Sequence, residues 1–190
     1  MAKNIRSKII IHTKYKWFWV WDFDEEEKWI NQMSSEGKHL VAANWIKFQF
    51  KDGEPNKYIY RMQKIEGSPD KPSNKDYITF VEETGAEMVS STAGWVYFKK
   101  EKDGKEFELF SDIDTKIKHL RKGSLLLLVT AIILILLGTA NLYMYVMEFP
   151  MILNLIVGIS VIAVGVVFMF GYAKTKTKIK SMKSLRQLQE

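Results

Sequence analysis

Trp17, Trp19 and Trp21 occupy alternate positions of the run YKWFWVW, and the pairs Tyr58/Tyr60 and Trp95/Tyr97 repeat the same two-residue spacing further along. In an extended segment alternate side chains share a face, so these seven rings read as strand faces rich in indole and phenol. Such a face does binding chemistry and makes no bonds. It takes flat apolar groups by stacking and cations over its rings, at about 0.5–2 kcal/mol per contact. Arg61, of opposite parity to Tyr60, is expected to point away from it. Coverage of the rings by a further hairpin, a second subunit or a membrane-proximal helix is the alternative the sequence leaves open.

Residues suited to making and breaking bonds are sparse. Asp22, Asp24, Glu25, Glu26 and Glu27 offer the hard oxygens that Mg²⁺ or Ca²⁺ prefers. They fall, however, in what reads as a first helical turn, where successive side chains diverge and each carboxylate complements the helix dipole. Nor does their spacing match a calcium loop. His12, His39 and His119 are scattered, without an HExxH or triad pattern. Ser90-Ser91-Thr92-Ala93-Gly94 lacks the G-x-S-x-G elbow, and neither a P-loop nor G-x-G-x-x-G occurs. Zero cysteines exclude disulfides, thiolate nucleophiles and Cys-based metal sites. No catalytic residue, metal or cofactor is assigned, and the chain is expected not to be an enzyme.

The elements that must position the rings follow from the charge pattern. The 190 residues are 47% hydrophobic and 26% charged, which excludes disorder. Residues 124–173 contain one charged side chain, Glu148, whereas the first 123 contain 42. Residues 124–147 and 150–173 are uncharged runs longer than the roughly 20 residues a helix needs to cross hydrocarbon. They are expected to form a transmembrane hairpin closed tightly at Glu148-Phe149-Pro150. Lys116, Lys118, Arg121 and Lys122 precede it, and Lys174, Lys176, Lys178, Lys180, Lys183 and Arg186 follow it. With no cation in the hairpin connection, both termini are expected in the cytoplasm. MAKNIRSKIII is basic and too briefly apolar for a signal peptide.

The net charge of +6 resolves into +2 before the spans, −1 within them and +5 in the tail, 174–190. Cations beside a membrane indicate an anionic inner leaflet as partner, with the tail either a helix on that leaflet or a frayed topology signal. Nucleic acid is not expected as a partner, because the first domain lacks the interleaved basic and aromatic residues of an RNA-binding sheet. Gly158, Gly165 and Gly171 give the second helix small faces, for packing within the hairpin or for self-association.

Residues 1–122 are read as a cytoplasmic α+β domain, 123–173 as the hairpin and 174–190 as the tail. Within the domain, 15–21 reads as a central strand. A helix is expected after it, capped at Asp24 and stopped by Gly37. Strands over 39–50 and 58–65 are expected to join as a hairpin at Asp52-Gly53. A helix capped at Ser73 or Asn74 and ending before Gly85 follows, then strands over 86–90 and 94–100, a returning strand over 106–110, and a helix from Ser111. The order β-α-β-β-α-β with an extra C-terminal hairpin is that of a ferredoxin-like sandwich.

The stretches KWFWVWDFDEEEKWINQMSSEGKHLV, GEPNKYIYRMQ, YITFVEETGAEMVSSTAGWVYFKK and FELFSDIDTKIKH resemble the bacterial domain-of-unknown-function family 2812 across residues 10–120. Where that family often has a tryptophan after Glu-x-Gly, this chain has Lys38. The resemblance implies a membrane-anchored bacterial protein encoded near a PadR-type transcriptional regulator, and no activity. Together these features predict a non-enzymatic sensor or regulator, acting in membrane stress, whose aromatic domain binds a protein partner or a small apolar ligand. The rival expectation is a small oligomeric membrane protein for export of, or immunity to, a membrane-active compound.

Overall fold

The computed structural model describes residues 10–104, 107, 109, 113–147 and 151–187, with backbone alone at 113–116, 119 and 185–187. The chain divides into two compact units, Met1–Phe110 and Ser111–Glu190.

The first unit uses one motif twice. β1 (Ile11–Tyr15), α1 (Phe23–Ser35), β2 (Lys38–Asn44) and β3 (Lys47–Asp52) are followed by β4 (Tyr58–Lys64), α2 (Pro72–Glu83), β5 (Ala86–Thr92) and β6 (Trp95–Glu101). Each half closes its own antiparallel sheet, in the orders β1-β3-β2 and β4-β6-β5. The halves correspond at an offset of 48 residues, as Lys38 to Ala86 and Lys47 to Trp95 show. The β2–β3 register slips between Leu40 and Ala42, and the β5–β6 register between Met88 and Ser90, so bulges fall at the equivalent Val41 and Val89. Gly37 (φ +77°) and Gly85 (φ +85°) hold the equivalent left-handed stops after the two helices. A shared strand order can arise twice; a shared bulge at the same offset marks a structural repeat.

This arrangement corrects the ferredoxin-like expectation. The strands form two three-stranded sheets, not one sheet under two helices. The stretch 39–50 is itself a hairpin turning at Trp45–Ile46, and Asp52-Gly53 ends a strand whose successor lies in the other sheet. Only residues 11–15 of the first apolar stretch find a ladder, on β3, so β1 is an edge strand and Trp17–Trp21 lie in its connection to α1. The returning strand expected over 106–110 rests largely on residues outside those described. Helix α1 starts at Phe23 after Asp22, and α2 carries Pro72 in its first turn, where a missing N–H costs nothing.

Helix α1 serves both sheets. Toward the first, Trp29 meets Phe48 and Phe50 in T-shaped contacts, at 5.0 and 5.6 Å, beside the buried Ile30 and Met33. Toward the second, its Glu27, Asn31 and Ser34, one helical face at i, i+4 and i+7, satisfy the outer edge of β4. Met62 N–H donates to Glu27 Oε2 (2.7 Å), Tyr60 N–H to Asn31 Oδ1 (2.8 Å), Asn31 Nδ2 to Tyr60 C=O (3.0 Å) and Ser34 Oγ to Tyr58 C=O (2.7 Å). A strand edge that would otherwise invite pairing is thereby closed. Helix α2 packs Ile78 and Val81 with Val96, Phe98 and Phe107 on the opposite face of that sheet. With helices on both faces, Val96, Tyr97 and Phe98 are all buried, and β6 reads as a continuous apolar run.

The two sheets meet where β2 approaches β5. Ala43 N–H donates to Ser90 Oγ (3.0 Å) and Ser90 Oγ donates back to Ala43 C=O (3.1 Å), so a hydroxyl stitches two edges that make no ladder.

The second unit is a pair of helices, α3 (Ile113–Met147) and α4 (Ile152–Gln187). Each is over about 50 Å long at 1.5 Å per residue. Leu120–Met147 and Ile152–Ser184 are long and apolar enough to cross a membrane. Ile117, Ser124, Ala131 and Gly138 form a buried seam at seven-residue spacing on α3. A Cβ on Gly138 would stand 2.5 Å from Ile162 Cγ1 and 2.9 Å from the Gly158 carbonyl, and one on Gly165 would meet Ile135 at 2.9 Å and the Ala131 carbonyl at 3.2 Å. The descending pairing makes the helices antiparallel, and the missing side chains set how closely they approach. Within the described residues of the tail, α4 runs unbroken to Gln187, burying Thr175 and Ile179. The closure expected at residues 148–150 lies outside those described.

Candidate functional site

The apolar run leaving β1 turns two tryptophans outward and one in. Lys16 N–H donates to Ile46 C=O (2.9 Å), which fastens the run beside the Trp45–Ile46 turn. Trp17 then stacks on Trp45 at 6.1 Å and 30° and meets Trp19 edge to face at 5.6 Å. Trp19 stacks parallel on Trp21 at 5.1 Å and 3°. The result is a ladder of four indoles, Trp45–Trp17–Trp19–Trp21, of which the first three are 65%, 54% and 43% exposed and the last 7%. Val20 and Ile46 extend the apolar surface in the same two loops. Beneath it, Phe18 lies against Trp29 and Phe48, and Lys16 Nζ sits 5.0 Å from the Phe18 ring and 4.8 Å from that of Trp29. The surface stacks rings and already holds one ammonium group.

A second, enclosed constellation joins α1 to β6. Phe23 stacks on Trp95 at 4.8 Å, and one helical turn on, Tyr97 Oη donates to Glu26 Oε1 at 2.5 Å. Phe23 and Glu26 share a helix face, and Trp95 and Tyr97 a strand face, so the two pairs are neighbouring rungs. Burial pushes the Glu26 carboxyl above its ordinary 4.5, with the Tyr97 hydrogen bond opposing. Burial, with the facing carboxylate, pushes the Tyr97 phenol up as well. Glu27 instead takes Arg61 Nη1 at 3.4 Å together with the Met62 N–H. Lys64 lies 5.4 Å over the Trp95 ring, its pKa lowered by burial.

The seven rings of the sequence reading therefore separate. Trp17 and Trp19 lie on the exposed ladder, whereas Trp21, Tyr60 and Tyr97 are buried, and a common platform of all seven is not formed. Tyr58 is half-buried, edge-on to His39 at 4.8 Å with Lys57 and Lys99 over its ring at 5.6 and 5.2 Å, and Trp95 faces Phe23. Trp45 was hidden within an expected continuous strand. The helix-dipole role expected of Glu26 and Glu27 leaves out these contacts, although Glu27, Asn31 and Ser34 carry a helical spacing that is visible in the sequence.

The acidic run disperses: Glu25 pairs with Lys28 at 3.1 Å, while Glu26 and Glu27 face different strands. Among the described residues no three His, Asp or Glu side chains converge on one point. His12 bonds Asp52 at 2.7 Å, and His39 is enclosed. Lys174, Lys176, Lys180 and Lys183 are exposed along α4 and Lys178 is half-buried; Arg186 lies on the helix with its side chain outside the described set.

Against known proteins, the profile of the family described as "Protein of unknown function (DUF2812)" matches residues 22–132, more than half of the chain. No curated protein and no solved structure matches.

Proposed function

The chain belongs to the DUF2812 family, and we propose that it is a membrane-anchored, non-enzymatic regulatory protein whose first unit binds a small, flat, apolar ligand on the tryptophan ladder. The observation that carries this reading is that Trp45, Trp17 and Trp19 touch one another yet remain 65%, 54% and 43% exposed. Soluble surfaces seldom leave large rings in contact with each other and with water unless they serve recognition. The buried Trp21 fixes one end of the ladder, so its geometry is pre-set rather than assembled on binding.

Anchoring follows from α3 and α4 spanning a bacterial cell membrane, with both termini cytoplasmic. The cations flanking the two spans and missing between them support that orientation, and the α4 lysines suit an anionic inner leaflet. Ligand occupancy would then report on membrane-active compounds to a protein partner; the family resemblance implies a PadR-type regulator only as a genetic neighbour. The rival, an oligomeric transporter or immunity protein, needs free small-residue faces in the spans. Gly138, Gly158 and Gly165 are instead occupied in the α3–α4 contact.

The test is quenching of tryptophan emission by acridine, with the full chain in detergent micelles. Saturable quenching is expected, weakened about tenfold or more when Trp17→Ala and Trp45→Ala remove two stacking contacts. Linear quenching, identical in wild type and double variant, would overturn the reading.

A further inference from the structure

The structural repeat is broken in one place that matters for association. In the first half, α1 closes the outer edge of β4 with Glu27, Asn31 and Ser34. At the 48-residue offset the equivalent positions of α2 are Lys75, Thr79 and Glu82, all exposed. Among the described elements β3 is the one that packs extensively on β1. Among the described residues, the edge of β1 equivalent to the covered edge of β4 therefore has no strand or helix packed along it.

The β1–β3 register fixes what that edge presents. Partners pair as Ile11–Lys51 through Tyr15–Lys47, and the Lys16 N–H bond to Ile46 C=O continues the series. Antiparallel ladders alternate, so Lys16, Lys14 and His12 direct their backbone groups at β3 and Ile11, Thr13 and Tyr15 direct theirs outward. We infer that this edge pairs with the same edge of a second copy of the chain, antiparallel about a two-fold axis at Thr13. In that register Thr13 faces Thr13 and Ile11 faces Tyr15, so each of the six outward donors and acceptors meets a complement. The side chains agree: Ile11, Thr13 and Tyr15 are all exposed on one face. They would form a Thr–Thr pair flanked by two aromatic–aliphatic pairs, combinations favoured across antiparallel strands. On the other face Lys14 meets His12, which carries the Asp52 carboxylate at 2.7 Å as counter-charge. A strand of unrelated sequence would satisfy the backbone but not this symmetry of side chains.

The experiment uses the full chain in nanodiscs and exploits its lack of cysteine. Light scattering should give a two-chain mass, and Thr13→Glu, which sets a carboxylate against itself at the axis, should give a one-chain mass with unchanged far-ultraviolet circular dichroism. With a short bismaleimide, Thr13→Cys should cross-link at least about tenfold faster than Ser91→Cys on the other sheet, because hydrogen-bonded partners lie roughly 5.5 Å apart. A one-chain mass for the wild type, a dimer that survives Thr13→Glu, or equal cross-linking at the two positions would each overturn the inference.

Discussion

Asn31 and Tyr60 exchange two hydrogen bonds: Tyr60 N–H donates to Asn31 Oδ1 at 2.8 Å, and Asn31 Nδ2 donates to Tyr60 C=O at 3.0 Å. The side-chain amide thus plays the part of one more residue of strand beside β4. Asn31→Ala leaves a buried N–H without its acceptor, and a loss of about 2 kcal/mol is expected, a fall in Tm of roughly 10 °C. Asn31→Asp keeps the acceptor but turns an anion toward the Tyr60 carbonyl, and should lose as much or more. Thermal unfolding followed by circular dichroism checks both; a shift under about 0.5 kcal/mol for Asn31→Ala would show that the amide pair is incidental.

The helix pair depends on absent side chains. At Gly138 a Cβ meets backbone as well as side chain, at 2.9 Å from the Gly158 carbonyl, so the helices themselves must part. Gly138→Val is expected to destabilise the micelle-bound protein by about 1–3 kcal/mol, whereas Ala163→Val, at an exposed position of α4, should be near neutral. Equal effects would mean that the crossing is loose.

Two buried ionisable groups give opposite pH dependences. Burial holds His39 below its ordinary 6.5; Lys51, Lys99 and Lys57 act in the same direction and a backbone contact at Glu54 against it. Its contribution to stability is therefore present above pH 6.5 and lost as pH falls through the lowered folded value. Burial raises Glu26 above 4.5, so its contribution is present below pH 4.5 and lost as pH rises through the raised folded value. In a Tm series from pH 4 to 8, His39→Phe should flatten the acid-side decline. Glu26→Gln should gain on wild type as pH rises and match it near pH 4. Parallel curves for all three proteins would contradict both assignments.

The two long apolar helices, the two helix stops at Gly37 and Gly85 and the β5–β6 strands are legible in the sequence, because each rests on a local signal. An uncharged run, a left-handed glycine and the Ala93-Gly94 turn, with φ of +48° and +77°, are such signals. The first hairpin turns at Trp45–Ile46 with no positive φ, so nothing in the residues marks it, and 39–50 reads as one strand. The repeat is not legible in the sequence because equivalent positions diverge, as Gln49 against Tyr97 and Trp45 against Ala93 do, while the matching Val41 and Val89 express themselves only in register. YKWFWVW has the composition of a strand, but a strand is defined by its partner, and β3 offers a ladder only to residues 11–15. Aromatic alternation found Trp17 and Trp19. It could not separate them from the buried Tyr60 and Tyr97, since burial is decided by which helix covers which face.

The tryptophan ladder is tested most directly by replacing all six tryptophans with 5-fluorotryptophan in the full chain and titrating acridine while recording ¹⁹F spectra. The six residues are Trp17, Trp19, Trp21, Trp29, Trp45 and Trp95, and single Trp→Phe variants assign them. Saturable shifts of the Trp17, Trp19 and Trp45 signals are expected while Trp95, stacked on Phe23, stays in place. Shifts confined to Trp95, or no saturable shift at Trp17 and Trp45, would contradict it.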